Sequence, residues 1–134
     1  MIIEYLAGYF DGEGTVTIQF HSWTRRGKTY SGYQLHVAIG NTYKPLLEEI
    51  RQQFGGKIDI GKKRQPQHRQ FYVWRATGTN ARAFLQTVLP HLREKRQQVE
   101  LALQMPHNAM RTADDLLMQE QIYKEVKRLK FVEY

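Results

Sequence analysis

Two carboxylates, Asp11 and Glu13, stand two residues apart with Gly12 between them and Gly14 after, closing the apolar stretch Tyr5-Leu6-Ala7-Gly8-Tyr9-Phe10. Paired carboxylates supply oxygen donors of the kind a divalent cation takes. The apolar stretch reads as a helix, which puts both acids at its C-terminus. There the macrodipole is negative, and a carboxylate is disfavoured by roughly 0.3–1 kcal/mol. A bound cation would compensate. Gly8 and Gly12, four apart, share one helical face and leave a groove without side chains, open to close approach by another backbone. That backbone can belong to the same chain or to a second copy.

Other chemistries fit the residues less well. The histidines at 21, 36, 68, 91 and 107 lack the paired spacing of a zinc site. Gly12-x-Gly14 precedes a strand instead of opening a helix, so it is no dinucleotide fingerprint. The chain has no cysteine, which excludes thiolate metal sites and disulfides and fits a reducing, intracellular compartment. No basic segment precedes the short apolar helix, and no apolar run reaches the ~18 residues of a membrane span. Neither a signal peptide nor a membrane partner is expected.

The elements that would position the acids follow from periodicity. After Gly14 the pattern switches to period two: Val16, Ile18 and Phe20 alternate with Thr15, Thr17, Gln19 and His21. A basic turn, Ser22 to Gly32, leads to a second alternating run, Tyr33 to Ile39, with Gln34 and His36 on its polar side. Asn41-Thr42 and Pro45 open a helix that Gly55-Gly56 closes. Ile58 and Ile60 mark a third strand, and Lys62 to Arg69 a second basic loop. Phe71 to Ala76 is a fourth strand of ambiguous parity, because Phe71, Tyr72, Val73 and Trp74 are all apolar. A helix with Phe84, Leu85, Val88 and Leu89 inward follows. Pro90 is expected to restart it as far as Gln104, with Leu92, Val99 and Leu103 inward, and Pro106 ends it. A last helix from Thr112-Ala113 carries Leu116, Leu117, Ile122, Val126 and Leu129 as core cover.

The order α-β-β-α-β-β-α-α-α without a linker or repeat predicts one α+β domain over 1–134. A four-stranded antiparallel sheet with all helices on one face leaves its other face open. Lys plus Arg number 20 against 13 acids, a net charge of +7 with a pI near 9.7, and that balance points to a polyanion, nucleic acid before membrane. The open face would present Thr15, Thr17, Gln19, His21, Gln34 and His36, none acidic and several able to bond base edges. Arg25, Arg26, Lys28, Lys62, Lys63, Arg64 and Arg69 gather in the strand-joining loops. A β-ribbon with this chemistry suits the major groove of double-stranded DNA. Arg75, late in the fourth strand, is a further candidate for a phosphate contact.

The run Leu6-Ala7-Gly8-Tyr9-Phe10-Asp11-Gly12-Glu13-Gly14 resembles the signature of the LAGLIDADG homing endonucleases. It keeps the Leu, Ala and Gly, the two acids two residues apart, and the closing Gly. The element order, Asn41-Thr42 entering Lys44-Pro45-Leu46-Leu47, and Leu89-Pro90-His91-Leu92-Arg93-Glu94-Lys95 extend the resemblance over nearly the whole chain.

The resemblance implies an αββαββα core whose sheet forms a DNA-binding saddle. It implies Mg²⁺ as cofactor, with Mn²⁺ or Ca²⁺ as other occupants, and no small-molecule substrate. The single motif implies a homodimer packed through Tyr5, Gly8, Asp11 and Gly12. By the same carry-over Glu13 ligates the metal with a carbonyl near Gly12, and Asp11 accepts structural hydrogen bonds. Lys95 matches the active-site lysine, and Asn41 is the candidate for orienting water. The implied activity is site-specific double-strand DNA cleavage at a roughly palindromic site, about twenty base pairs from the strand reach. A non-cleaving binding module on the same fold, an intron RNA maturase or a DNA-binding regulator, is the alternative.

Overall fold

The first helix, α1 (Ile3–Glu13), turns Leu6, Ala7 and Phe10 inward. Phe10 meets Phe84 edge to face, with ring centroids 5.2 Å apart. The helix passes into strand β1 (Gly14–Arg25) with no intervening loop. Gly14 makes that junction feasible: a Cβ there would overlap the Phe10 ring, and its N–H bonds the Phe10 carbonyl. The computed structural model describes residues 2–61, 67, 69–105 and 113–130. Lys62, Lys63, Arg64, His68 and His107, singled out from the sequence, lie outside the described residues.

Strand β2 (Lys28–Asn41) returns antiparallel to β1 through Arg26-Gly27, both at positive φ (53° and 76°). Two positive φ values match the right-handed twist of a hairpin. The loop expected from Ser22 to Gly32 is therefore mostly strand, with Ser22 opposite Ser31, Trp23 opposite Tyr30 and Thr24 opposite Thr29. Threonine and aromatic residues favour the pleated surface, which outweighs the serines and charges that suggested a turn.

Helix α2 (Lys44–Phe54) carries Pro45 in its first turn and ends at Gly55, whose N–H reaches the Arg51 carbonyl at 2.8 Å. Strands β3 (Lys57–Ile60) and β4 (Tyr72–Thr77) complete an antiparallel sheet of order β1-β2-β4-β3. β4 pairs only with residues 36–41 of β2, so the outer part of the hairpin continues beyond the four-stranded region as a ribbon.

Helix α3 (Gly78–Val88) follows, then a single 3-10 turn (Leu89–His91) and helix α4 (Arg96–Ala102). The continuous helix expected from Pro90 is absent, because Leu92 is extended and the N–H groups of Arg93 and Lys95 donate to the Asp11 carboxylate instead of to a helical turn. The Arg82 guanidinium bonds the carbonyls of Leu103 and Met105 where the chain leaves α4. Helix α5 (Ala113–Leu129) buries Ile122 and Val126, while Leu117, expected inward, is exposed. Gln119 of α5 is buried and accepts the Tyr33 N–H at 3.4 Å, which anchors the ribbon to the helical layer.

The core lies between the helices and the inward parity of the sheet: Val16, Ile18, Leu35, Val37, Ile39, Trp74 and Ala76 pack against Leu6, Phe10, Leu47, Ile50, Phe84 and Leu85. Full burial of each large apolar side chain stabilises by about 1.5–3 kcal/mol. Trp74, which could have served as a stacking platform, is wholly buried and donates its indole N–H to the Gly55 carbonyl at 2.8 Å. The opposite face carries Thr15, Thr17, Gln19, Gln34 and His36, as the parity of β1 and β2 predicts, and the register of β4 with β2 adds Arg75 to it.

Candidate metal and nucleic-acid site

The two acids of the opening motif separate at the end of α1. Asp11 is 9% exposed. Its Oδ2 accepts the Arg93 N–H at 2.7 Å and its Oδ1 the Lys95 N–H at 3.0 Å. Asp11 thereby accepts structural hydrogen bonds, and it fixes the chain ahead of α4. Its carboxylate faces its own protomer, so it does not lie on the outer stripe of α1 where an interface role was also expected for it.

Lys95 reaches the same helix end from the other side. Its Nζ donates to the Asp11 carbonyl at 2.6 Å and lies 6.0 Å from the Phe10 ring centre. A cation on a C-terminal carbonyl answers both the unpaired acceptor and the negative pole of the helix. The compensation sought in a metal is thus partly supplied by the chain itself.

Glu13 is exposed. It borders a concavity of about 350 Å³ on the open sheet face, together with Thr15, Thr17, Gln19, His36 and Arg75. Six of the predicted residues therefore meet in one hollow. Arg75 lies 3.6 Å from Asp59 of β3, with both side chains more than half exposed, and an exposed pair of this kind contributes little to stability.

Arg25, Arg26 and Lys28 sit at the far end of the hairpin, exposed and a full strand length away, about 40 Å at ~3.3 Å per residue. Gln34 lies between, opposite Gln19. His21 faces Gly32 in the register, and Arg69 is exposed ahead of β4.

Asn41 ends β2. Its Oδ1 accepts the Tyr43 N–H at 3.0 Å in an Asx turn that leads into α2. Its side chain also bonds Tyr9, whose hydroxyl lies 3.3 Å from the Gly40 carbonyl. Partial burial raises the Tyr9 pKa above 10.0, the Glu13 charge raises it further, Tyr5 adds to this, and the Asn41 hydrogen bond opposes it. Tyr9 therefore senses the charge on Glu13. The sequence reading missed it, because an aromatic on an apolar helix reads as core.

The outer face of α1 presents Tyr5, Gly8 and Gly12. Tyr5 is 58% exposed and stacks on Tyr9 at 6.4 Å, and a Cβ at Gly8 or Gly12 would meet nothing within 4 Å. Within the protomer neither glycine is needed for packing.

The Glu13 carboxylate and the backbone carbonyls at the helix end are oxygen donors, which fits a hard cation. Among the described residues no group of three or more His, Cys, Asp or Glu gathers around one point of this chain.

The model of a LAGLIDADG-like domain matches residues 1–88. No curated protein matches the chain in sequence. The fold is similar to that of solved homing endonucleases. I-CvuI, determined in complex with DNA in the presence of magnesium, superposes with a TM-score of 0.76 at 21% identity, over 98% of this chain and 83% of that one. The archaeal intron-encoded I-Vdi141I, complexed with DNA, gives 0.71 at 18% identity, over 98% and 86%. I-TnaI gives 0.65 at 19% identity, over 97% and 94%. From its motif, its sheet and the family model that spans its first 88 residues, the chain belongs to the LAGLIDADG family and has the fold of its homing endonucleases.

Proposed function

We propose that the protein is a site-specific, divalent-metal-dependent DNA endonuclease that works as a homodimer and hydrolyses one phosphodiester in each strand. The observation that carries this reading is the place of Glu13. It is an exposed carboxylate at a helix C-terminus, bordering the polar hollow of an open sheet face, with the Lys95 ammonium fixed one residue pair away on the Asp11 carbonyl. The binding of DNA by I-CvuI and I-Vdi141I, on the same fold, supports the same partner here.

In this reading Glu13, with the carbonyl of Gly12, would hold Mg²⁺, and a bound Mg²⁺ supplies Lewis-acid polarisation of the phosphate and a lowered pKa for ligated water. Two copies of α1 meet through the bare face of Gly8 and Gly12, an isologous contact that sets one Glu13 beside the other. Each chain then contributes one carboxylate to a shared centre.

Lys95 uses one of its three donors on Asp11 and has two left for negative charge developing on the scissile phosphate. Asn41, held at the strand end by its turn and by Tyr9, orients water beside Glu13. Thr15, Thr17, Gln19, Gln34 and His36 read base edges, and Arg25, Arg26, Lys28, Arg69 and Arg75, with Lys62 and Arg64, hold phosphates. Base contacts of this kind specify, while phosphate contacts set register and make binding salt-dependent.

Strands of 12 and 14 residues reach about 40 Å, so a two-fold site spans roughly twenty to twenty-four base pairs. The test is a selection from palindromic duplexes incubated with Mg²⁺. Double-strand cuts at a recovered site, lost in Glu13→Gln, are expected. Sequence-specific binding with no cutting under Mg²⁺ or Mn²⁺ would instead make the chain a binding module.

A further inference from the structure

The hollow beside Glu13 is not polar throughout. Phe71, Val73 and Ala38 also line it. Phe71 is 38% exposed on the face that carries the polar residues, an unusual place for a phenyl ring in a domain with a full core on the other side.

Its position is built. The ring lies over two glycines, Gly40 of β2 and Gly61 just after β3, and a Cβ at either would collide with it. The backbone beneath is tied down as well: the Gly61 N–H donates to the Phe71 carbonyl at 2.7 Å, and the Gln70 amide bridges the carbonyls of Gly61 and Phe71 at 2.9 and 3.1 Å. Two side-chain-free positions hold one aromatic ring in a fixed orientation, with Ala38 and Val73 extending the apolar area beside it.

We propose that Phe71, with Ala38 and Val73, is a specificity element that selects thymine through its 5-methyl group at the base pair nearest the cleavage centre. This rests on the sheet face reading the major groove. In that groove base pairs display donors, acceptors and one apolar group, the thymine methyl, and an apolar side chain gains only against the last. A rigid ring in the hollow that Glu13 also borders meets a base toward the metal end of the sheet, whereas the hairpin tip lies far along the strand. An aromatic wedge that parts two base pairs is the competing use of such a ring. It needs a mobile or protruding side chain, and the tip and edge of this ring are packed against Gly40 and Gly61.

The test reads binding and does not require cutting. The full chain is equilibrated, with Ca²⁺ replacing Mg²⁺, with a pool of palindromic duplexes randomised in both half-sites, and the retained duplexes are sequenced. Thymine is expected at one symmetric pair of positions. Replacing those two thymidines by deoxyuridine removes only the methyls and should weaken binding about fourfold per half-site, roughly fifteenfold for the palindrome, the value of one buried carbon each.

Phe71→Leu should keep the preference for thymine over deoxyuridine and Phe71→Ala should lose it. Should the alanine variant not fold, the comparison of the two bases on the unaltered protein still decides. Sequence-specific binding that is equal for thymine and deoxyuridine overturns this proposal and leaves the nuclease reading standing. Retention of no duplex at all overturns both.

Discussion

Asp11 and Glu13 carry the same charge two residues apart on one helix, and the regions around them could hardly differ more. Two residues along an α-helix correspond to a rotation of about 200°, so the two side chains leave α1 on opposite sides. On the inner side a buried carboxylate takes two backbone N–H groups, from residues 82 and 84 positions away in sequence, and fixes the path of the chain into α4. On the outer side Glu13 and Gly12 face solvent and the polar hollow. The inner region spends its chemistry on architecture and leaves the outer one free to bind. The glycines repeat the contrast: Gly14 is required by the Phe10 ring, whereas Gly8 and Gly12 touch nothing within the protomer.

That contrast can be broken most decisively from the inside. Asp11→Ala leaves two buried N–H groups unpaired and should destabilise the protein by about 3 kcal/mol in urea unfolding; a loss under ~0.5 kcal/mol would show that the loop at 93–95 does not depend on it. Gly14→Ala should cost about 1–3 kcal/mol through overpacking against Phe10. Gly12→Ala should change the thermal midpoint of the isolated protomer little, or raise it slightly, since alanine is the better helix former by ~1 kcal/mol. The same substitution should weaken self-association by tenfold or more (~1.4 kcal/mol) in sedimentation. Equal effects of the two on folding would erase the distinction between the faces.

The smallest effect sharpens the electrostatics. Tyr9 is raised above 10.0 by partial burial, then by Glu13, then by Tyr5. A phenol whose folded pKa lies above its unfolded value stabilises the fold fully below pH ~10 and loses that contribution as pH rises through the folded pKa. Ultraviolet titration of the wild type against Tyr9→Phe isolates the group. In Glu13→Gln its titration should move down toward the ordinary value without reaching it, because burial remains. No movement would place Glu13 away from the phenol.

Much of this was legible in the sequence, because it depends on local periodicity. The alternation of β1 and β2 assigned the inward Val16, Ile18, Leu35, Val37 and Ile39 and the polar face opposite, and the order of elements follows from the same patterns. The structural role of Asp11 is implied by the family resemblance, and its two hydrogen bonds are of that kind. What escaped was long-range. Nothing near Pro90 reveals that the Asp11 carboxylate, more than eighty positions upstream of Arg93 and Lys95, will take their N–H groups and break the helix. The side of the sheet that Phe71 occupies could not be read from four successive apolar residues. It becomes visible only when β4 is set in register with β2 and β3, and Gly40 and Gly61 fall beneath the ring. The tip of the hairpin reads as a loop from its charges and glycines, yet its threonines and aromatic residues pair as strand.

In the proposed reading Glu13 does the chemistry while Asp11 does the building. It is tested most directly by the single-turnover cleavage rate of Glu13→Gln on the selected duplex under saturating Mg²⁺, with duplex affinity measured alongside in Ca²⁺. Near-normal stability and affinity are expected, with cleavage slowed by at least about 10²-fold, the scale of removing one group that stabilises transition-state charge. Cleavage within a few-fold of the wild type would contradict it.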